Sequence, residues 1–226
     1  MAQLPLALSL KAHAAFASFV AGPNGGAVEH VRAVARGERA ESVWLFGPRR
    51  SGKTHLLTAA CREAGERDWR AIYLALDSGA DPGVLAELDA LDLIALDDVE
   101  RVAGLAVWEA ALFSIFDSRL QRGGLVVAGS APPRECGFEL ADLVSRAGSM
   151  AIYRLDFLDD EDLKAAVLGH ARQRGLTLGA AAAGYLLQRV SRDLGELTAW
   201  LDRIDRHSLA EQRRITIPLL REVIGS

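Results

Sequence analysis

Residues 42–54 read SVWLFGPRRSGKT, and the fold turns on how they are interpreted. Ser42–Phe46 is a brief apolar run closed by Gly47, which predicts a buried strand. Gly47–Thr54 then fits G-x-x-x-x-G-K-[ST] in full, and helical periodicity follows from Lys53 to Ala64. A strand, a glycine-rich turn and a helix in this order aim successive backbone N–H groups, and the positive end of the helix, at one anion. Gly47 and Gly52 permit the tight turn, and Pro48, Arg49, Arg50 and Ser51 supply the loop backbone. Lys53 can reach the β- and γ-phosphates of a nucleotide, and the Thr54 hydroxyl can hold Mg²⁺. The Arg49 and Arg50 side chains are expected in solvent, because the backbone does the cradling. A glycine-rich turn that merely matches the pattern is the plainer alternative; the strand before it and the helix after it favour a phosphate loop.

Outward from this stretch, apolar runs at Ala71–Leu76, Leu93–Leu96, Leu125–Ala128 and Ala151–Leu155 predict four more strands. Between Leu105 and Leu120 the apolar residues recur mostly every three or four positions, one face of a helix. Strands alternating with helices need crossover connections. The expected fold class is therefore α/β, with a mainly parallel five-stranded sheet covered by helices. After Asp156 helical patterns dominate, with one candidate strand at Ile215–Ile217. Asp159–Asp162 could be an acidic site, but carboxylates in a first turn also favour the positive end of a helix, and that reading is preferred. The chain is thus divided into residues 1–12, an α/β core at 13–156 and a helical domain at 157–226.

Bulk properties narrow the function. The 226 residues are half hydrophobic and carry a net charge of −4, so the surface as a whole is not built to hold duplex DNA. Cys61 and Cys136 lie far apart without a CxxC spacing, as expected of reduced thiols in a cytoplasmic protein. No apolar stretch reaches the roughly 18–20 residues that span a bilayer. The opening MAQLPLALSLKA precedes Ala12-His13-Ala14, which resembles a signal-peptide cleavage site. Nothing basic comes before its leucines, however, and Lys11 interrupts them. A cytoplasmic location with no membrane partner is expected.

Leu93–Val99, LIALDDV, places two carboxylates directly after an apolar strand. In a sheet that carries a phosphate loop, this matches a Walker B motif. Asp97 would hold Mg²⁺ through its water shell, and Asp98 would sit where a base or water-positioning group is wanted. The plainer reading is that the pair ends a strand and caps a turn.

From here the residues resemble a known family. Gly52–Leu57, GKTHLL, with His55, and the Asp97-Asp98 pair look like the AAA+ domain of the DnaA/Hda family of bacterial replication regulators. Phe16, Phe19, Val20 and Gly22 resemble the family's linker around the adenine. Ser130-Ala131-Pro132-Pro133 stands where the family places sensor 1. Leu143–Arg146 looks like the segment bearing an arginine finger, and Ser191–Leu194 like the sensor 2 segment, with Arg192. Leu201–Ile224 is similar to the end of the Hda branch.

The resemblance implies a P-loop AAA+ core with a helical lid and ADP or ATP with Mg²⁺ as cofactors. Phe19, Val20, the loop Gly47–Thr54, His55, Ser130 and Arg192 would bind nucleotide. Thr54 and Asp97 would hold the metal, and Asp98 would act in catalysis. Arg146 would be offered in trans to a neighbour's nucleotide. Ser130 replaces the family's usual acid, which puts its sensor role in doubt. Asp98 is one methylene shorter than the glutamate of brisk AAA+ ATPases, so slow hydrolysis is expected. Gln3-Leu4-Pro5-Leu6-Ala7-Leu8 resembles the peptide that docks in the bacterial sliding clamp through Gln3, Leu4, Leu6 and Leu8; an N-terminal strand is the alternative.

The implied function is a DnaA-like regulator. With the DNA-loaded sliding clamp (the β subunit of DNA polymerase III) it would stimulate hydrolysis of DnaA-bound ATP and so prevent re-initiation of replication. The expected partners are DnaA and the clamp. The sequence ends at Ser226 without the family's DNA-binding domain, so DNA is expected to be met only indirectly through the clamp. Self-association stays open. Two rivals remain: a DnaA-related helicase-loader or targeting ATPase acting with single-stranded DNA, which needs a basic stripe with interleaved aromatics, and a P-loop small-molecule kinase.

Overall fold

The structure is a computed structural model that describes residues 14–190, 194–211 and 215–225. The clamp-type peptide Gln3–Leu8 and Arg192 lie outside the described residues. Chain order runs α1 (Gly25–Ala35), β1 (Ser42–Phe46), α2 (Lys53–Gly65), β2 (Ala71–Ala75), β3 (Leu93–Asp97), α3 (Ala106–Arg122), β4 (Leu125–Gly129), α4 (Ala141–Gly148) and β5 (Ala151–Arg154). Four further helices follow: α5 (Asp160–Gln173), α6 (Ala180–Arg189), α7 (Leu194–Glu211) and α8 (Ile217–Gly225). Among the described residues no helix is long and apolar enough to cross a membrane.

The five strands form one parallel sheet in the order β2-β3-β4-β1-β5. Every residue of β3 and β4 is buried, because both faces of the sheet are covered. Period-two alternation divides the side chains between two cores. Val43, Leu45, Leu93, Ala95, Val126 and Ala128 pack with α1 and α2 residues such as Val31 and Leu56. Trp44, Ile94, Leu96, Leu125 and Val127 face Trp108, Leu112 and Phe116 of α3 and Leu143 of α4. Trp44 is fully buried, donates its indole N–H to Ala131 O at 3.1 Å, and meets Phe138 edge-on at 6.2 Å.

The chain separates into two compact units between Phe157 and Leu158. The second unit has its own core, in which Leu163, Val167, Leu186, Leu197, Leu201, Ile204, Leu219 and Leu220 are buried. Asp159 caps α5 by accepting from Asp162 N at 2.8 Å, so the acidic run is a helix start, as the sequence suggests. The strand expected at Ile215–Ile217 does not form. Ile217 opens α8, and Leu220 N donates to Thr216 O at 3.0 Å. Pro218 accounts for the difference, since proline is well accommodated in a first helical turn and supplies no N–H to a strand ladder.

Candidate phosphate-binding site

The site is built at the C-terminal ends of β1, β3 and β4, where a parallel sheet leaves its crevice. After Phe46 the chain must turn sharply beneath β5. Gly47 has φ +148°, and a Cβ on it would stand 2.3 Å from Leu155 O. The loop ends at Gly52, φ +98°, whose missing side chain makes room for the Phe19 ring; a Cβ there would meet Phe19 Cε2 at 2.7 Å. Arg49 and Arg50 are exposed, as expected. Helix α2 begins at Lys53 directly behind the loop, so its unpaired N–H groups open onto the same space.

Lys53 Nζ lies inside the loop and donates to Gly47 O (2.7 Å) and Pro48 O (2.9 Å). Burial lowers its pKa, and the charges of Asp97, Glu100 and Asp98 pull the other way. Thr54 Oγ1 donates to Asp97 Oδ2 at 2.6 Å, joining the loop to the end of β3. Asp97 is only 2% exposed and accepts two further bonds, from Tyr73 OH to Oδ2 (3.0 Å) and from Asp98 N to Oδ1 (3.0 Å). The Tyr73 phenol is held well above its ordinary pKa, first by burial and then by Asp97. Asp98 takes a left-handed backbone, φ 55°. Burial and the neighbouring Asp97 raise its pKa.

Ser130 is exposed just past β4, and its N–H donates to Glu100 Oε2 at 3.2 Å. Phe19 and Val20 are half-buried, and Phe19 meets His55 edge-on at 5.3 Å. His55 Nε2 is 3.1 Å from Ala15 O, so this ring ties the segment before α1 to the first turn of α2. Asn24 closes that segment by a two-way bond with the Asp156 backbone, 3.0 and 2.8 Å. Arg146, on α4, is half-exposed, with Nε 2.8 Å from Asp117 Oδ1. No sequence pattern marks Tyr73 or Glu100. Tyr73 sits in an apolar run, and its relevance depends on β2 lying next to β3, which no local pattern states.

These residues fit a phosphate with a magnesium ion. Ser51 Oγ is buried in the loop and has no hydrogen-bond partner among the described residues. Thr54 and Asp97 bring a hydroxyl and a carboxylate to one point, hard oxygen donors of the kind magnesium takes. Magnesium keeps several waters and leans on phosphate oxygens, so this is an adequate protein share.

Comparison with known proteins places the geometry in a family. An AAA domain model matches residues 39–159, more than half of the chain, and a model described as the Hda lid domain matches residues 159–224. Among solved structures, domain III of the Thermotoga maritima replication initiation protein DnaA aligns with a TM-score of 0.75 at 21% identity, over 95% of this chain and 98% of that one. The replication initiator DnaA bound to AMPPCP and single-stranded DNA aligns with a TM-score of 0.76 at 24% identity, over 90% and 69%. Thermotoga maritima RuvB is more distant, with a TM-score of 0.67 at 21% identity over 89% and 66%. At these identities the structural likeness concerns the fold; the two family models carry the assignment. The chain belongs to the AAA domain family, its last part is similar to the Hda lid domain, and its fold is similar to that of DnaA domain III.

Proposed function

We propose that this chain binds ADP or ATP with Mg²⁺ at Gly47–Thr54 and acts as a regulator of DnaA, stimulating hydrolysis of DnaA-bound ATP. The observation that carries this reading is an intact phosphate loop bonded through Thr54 to Asp97, in a chain whose last unit matches the Hda lid domain. When bound, the nucleotide would bring the phosphate charge to this loop, and its metal would offset part of that charge. Lys53 and the loop N–H groups hold the phosphates, Thr54 and Asp97 hold the metal, and Asp98 stands next to Asp97 at the end of β3. Phe19 and Val20 would hold the base, and Arg192 and Ser130 would reach the phosphates. His55 acts through the N-terminal segment it anchors.

Arg146 is the group offered in trans. Its partner Asp117 is half-exposed, and ion pairs of that kind stabilise by about 0–1 kcal/mol, so the guanidinium is readily transferred to a phosphate. Arginine fingers raise hydrolysis by roughly 10³–10⁵-fold. Docking to the sliding clamp through Gln3, Leu4, Leu6 and Leu8 would tie the reaction to loaded DNA, in the cytoplasm. The test is phosphate release from DnaA–ATP with clamp and DNA present. Wild type is expected to stimulate release and Arg146→Ala to lose most of that effect. Equal stimulation by both removes Arg146 from the mechanism, and no stimulation by wild type overturns the DnaA reading.

A further inference from the structure

We propose that Tyr73 is a positioning residue for the metal, fixing the Asp97 carboxylate so that one oxygen acceptor is left for a metal-bound water. This rests on the nucleotide reading of the site and extends it to a residue of β2. An ionised carboxylate offers about four acceptor positions on its two oxygens. Oδ2 takes the Thr54 hydroxyl at 2.6 Å and the Tyr73 hydroxyl at 3.0 Å, which fills it. Oδ1 takes the Asp98 N–H at 3.0 Å and keeps one position free. With Asp97 only 2% exposed, bulk water is poorly placed to replace a lost donor, so rotation of the carboxylate would strand a hydroxyl.

Backbone register puts the phenol in place. Tyr73 pairs with Ala95 across the β2–β3 ladder, so its side chain shares the sheet face of Ala95 and Asp97 and reaches along that face to Oδ2. Leu76 N also donates to Asp97 O at 2.9 Å, which pins the backbone from the same strand. The Thr54 hydroxyl commits its proton to Asp97, lies beside the Tyr73 phenol, and would offer its oxygen to the metal. Loss of the phenol would return a second acceptor position to Oδ2. The carboxylate could then turn, and the metal would face several orientations in place of one.

The test compares wild type with Tyr73→Phe, full-length, by titration with ADP in MgCl₂ and in EDTA. The expected result is that magnesium-dependent ADP affinity falls about tenfold or more while affinity in EDTA is unchanged, the range seen when a ligand's supporting partner is removed. An equal loss in both arms means a merely structural role and overturns the inference, as does no loss in either. A wild type that binds ADP but gains nothing from magnesium also overturns it and leaves nucleotide binding standing. A wild type that binds ADP in neither arm overturns the nucleotide reading and this inference with it. Should Tyr73→Phe fail to fold, wild type labelled with 3-fluorotyrosine decides: the Tyr73 fluorine resonance must move when Mg²⁺ is added to the ADP complex, and a static resonance rejects the role.

Discussion

Gly47 shows how little freedom the site allows a single residue. Its φ of +148° and the carbonyl of Leu155, 2.3 Å from where a Cβ would be, leave no space for a methyl group. Gly47→Ala should therefore cost about 1–3 kcal/mol through backbone strain alone, with the clash added, and should weaken nucleotide binding. Urea unfolding reads the first effect and ADP titration the second; an alanine variant with wild-type stability would mean that the loop and β5 separate freely. At this scale the sequence was most informative where spacing itself is the chemistry. Gly47, Gly52, Lys53, Thr54 and Asp97 could be named from a pattern because a phosphate loop has few geometric solutions. Tyr73 and Glu100 could not, since each matters through a strand or loop distant along the chain.

Among the elements, α4 depends on a side chain from α3. Glu109 is 2% exposed, and its carboxylate accepts from Gly104 N (2.7 Å), Glu139 N (3.0 Å) and Leu140 N (2.6 Å), the last being the cap residue of α4. Burial by itself would raise the Glu109 pKa, but the bonds from Glu139, Leu140 and Gly104 bring it below the ordinary 4.5. Because the folded value is depressed, the stabilisation is complete above about pH 4.5 and is lost as pH falls through the lower, folded value. Glu109→Gln keeps the shape, removes the charge and replaces one acceptor oxygen with a donor. It should cost about 1–3 kcal/mol at pH 7 and flatten the acid limb of the stability curve. A variant whose stability keeps the wild-type dependence on pH between 3 and 5 would show that Glu109 does not supply it. Since Arg146 lies on α4, the same change should loosen the presentation of that guanidinium. In the sequence α4 is marked by its Leu143–Arg146 motif. The apolar periodicity of α3 was legible, whereas a buried glutamate holding the start of the next helix leaves no periodic trace.

On the scale of the whole molecule, two compact units are built from separate stretches of chain, the first with a core on each face of its sheet and the second with a core of its own. Leu201, fully buried on α7, belongs entirely to the second. Leu201→Ala should destabilise that unit by about 2–5 kcal/mol. Hydrogen exchange should quicken across α5–α8 while β1, β3 and β4 keep their protection. Acceleration of the sheet to the same degree would mean the two units unfold as one. The division was legible because strands stop recurring after Asp156; the misjudged Ile215–Ile217 was not, because three β-branched residues look alike in a strand and before a helix. Strand order had to come from the structure. It puts β1 between β4 and β5, and so places Trp44 on an interior strand. That indole is sealed from water, and its N–H is tied to the carbonyl of Ala131, the neighbour of Ser130. The molecule thus carries an intrinsic optical probe tied to the segment that leaves β4: a shift of that segment changes the dipole at the edge of the ring, and with it the colour of the emitted light.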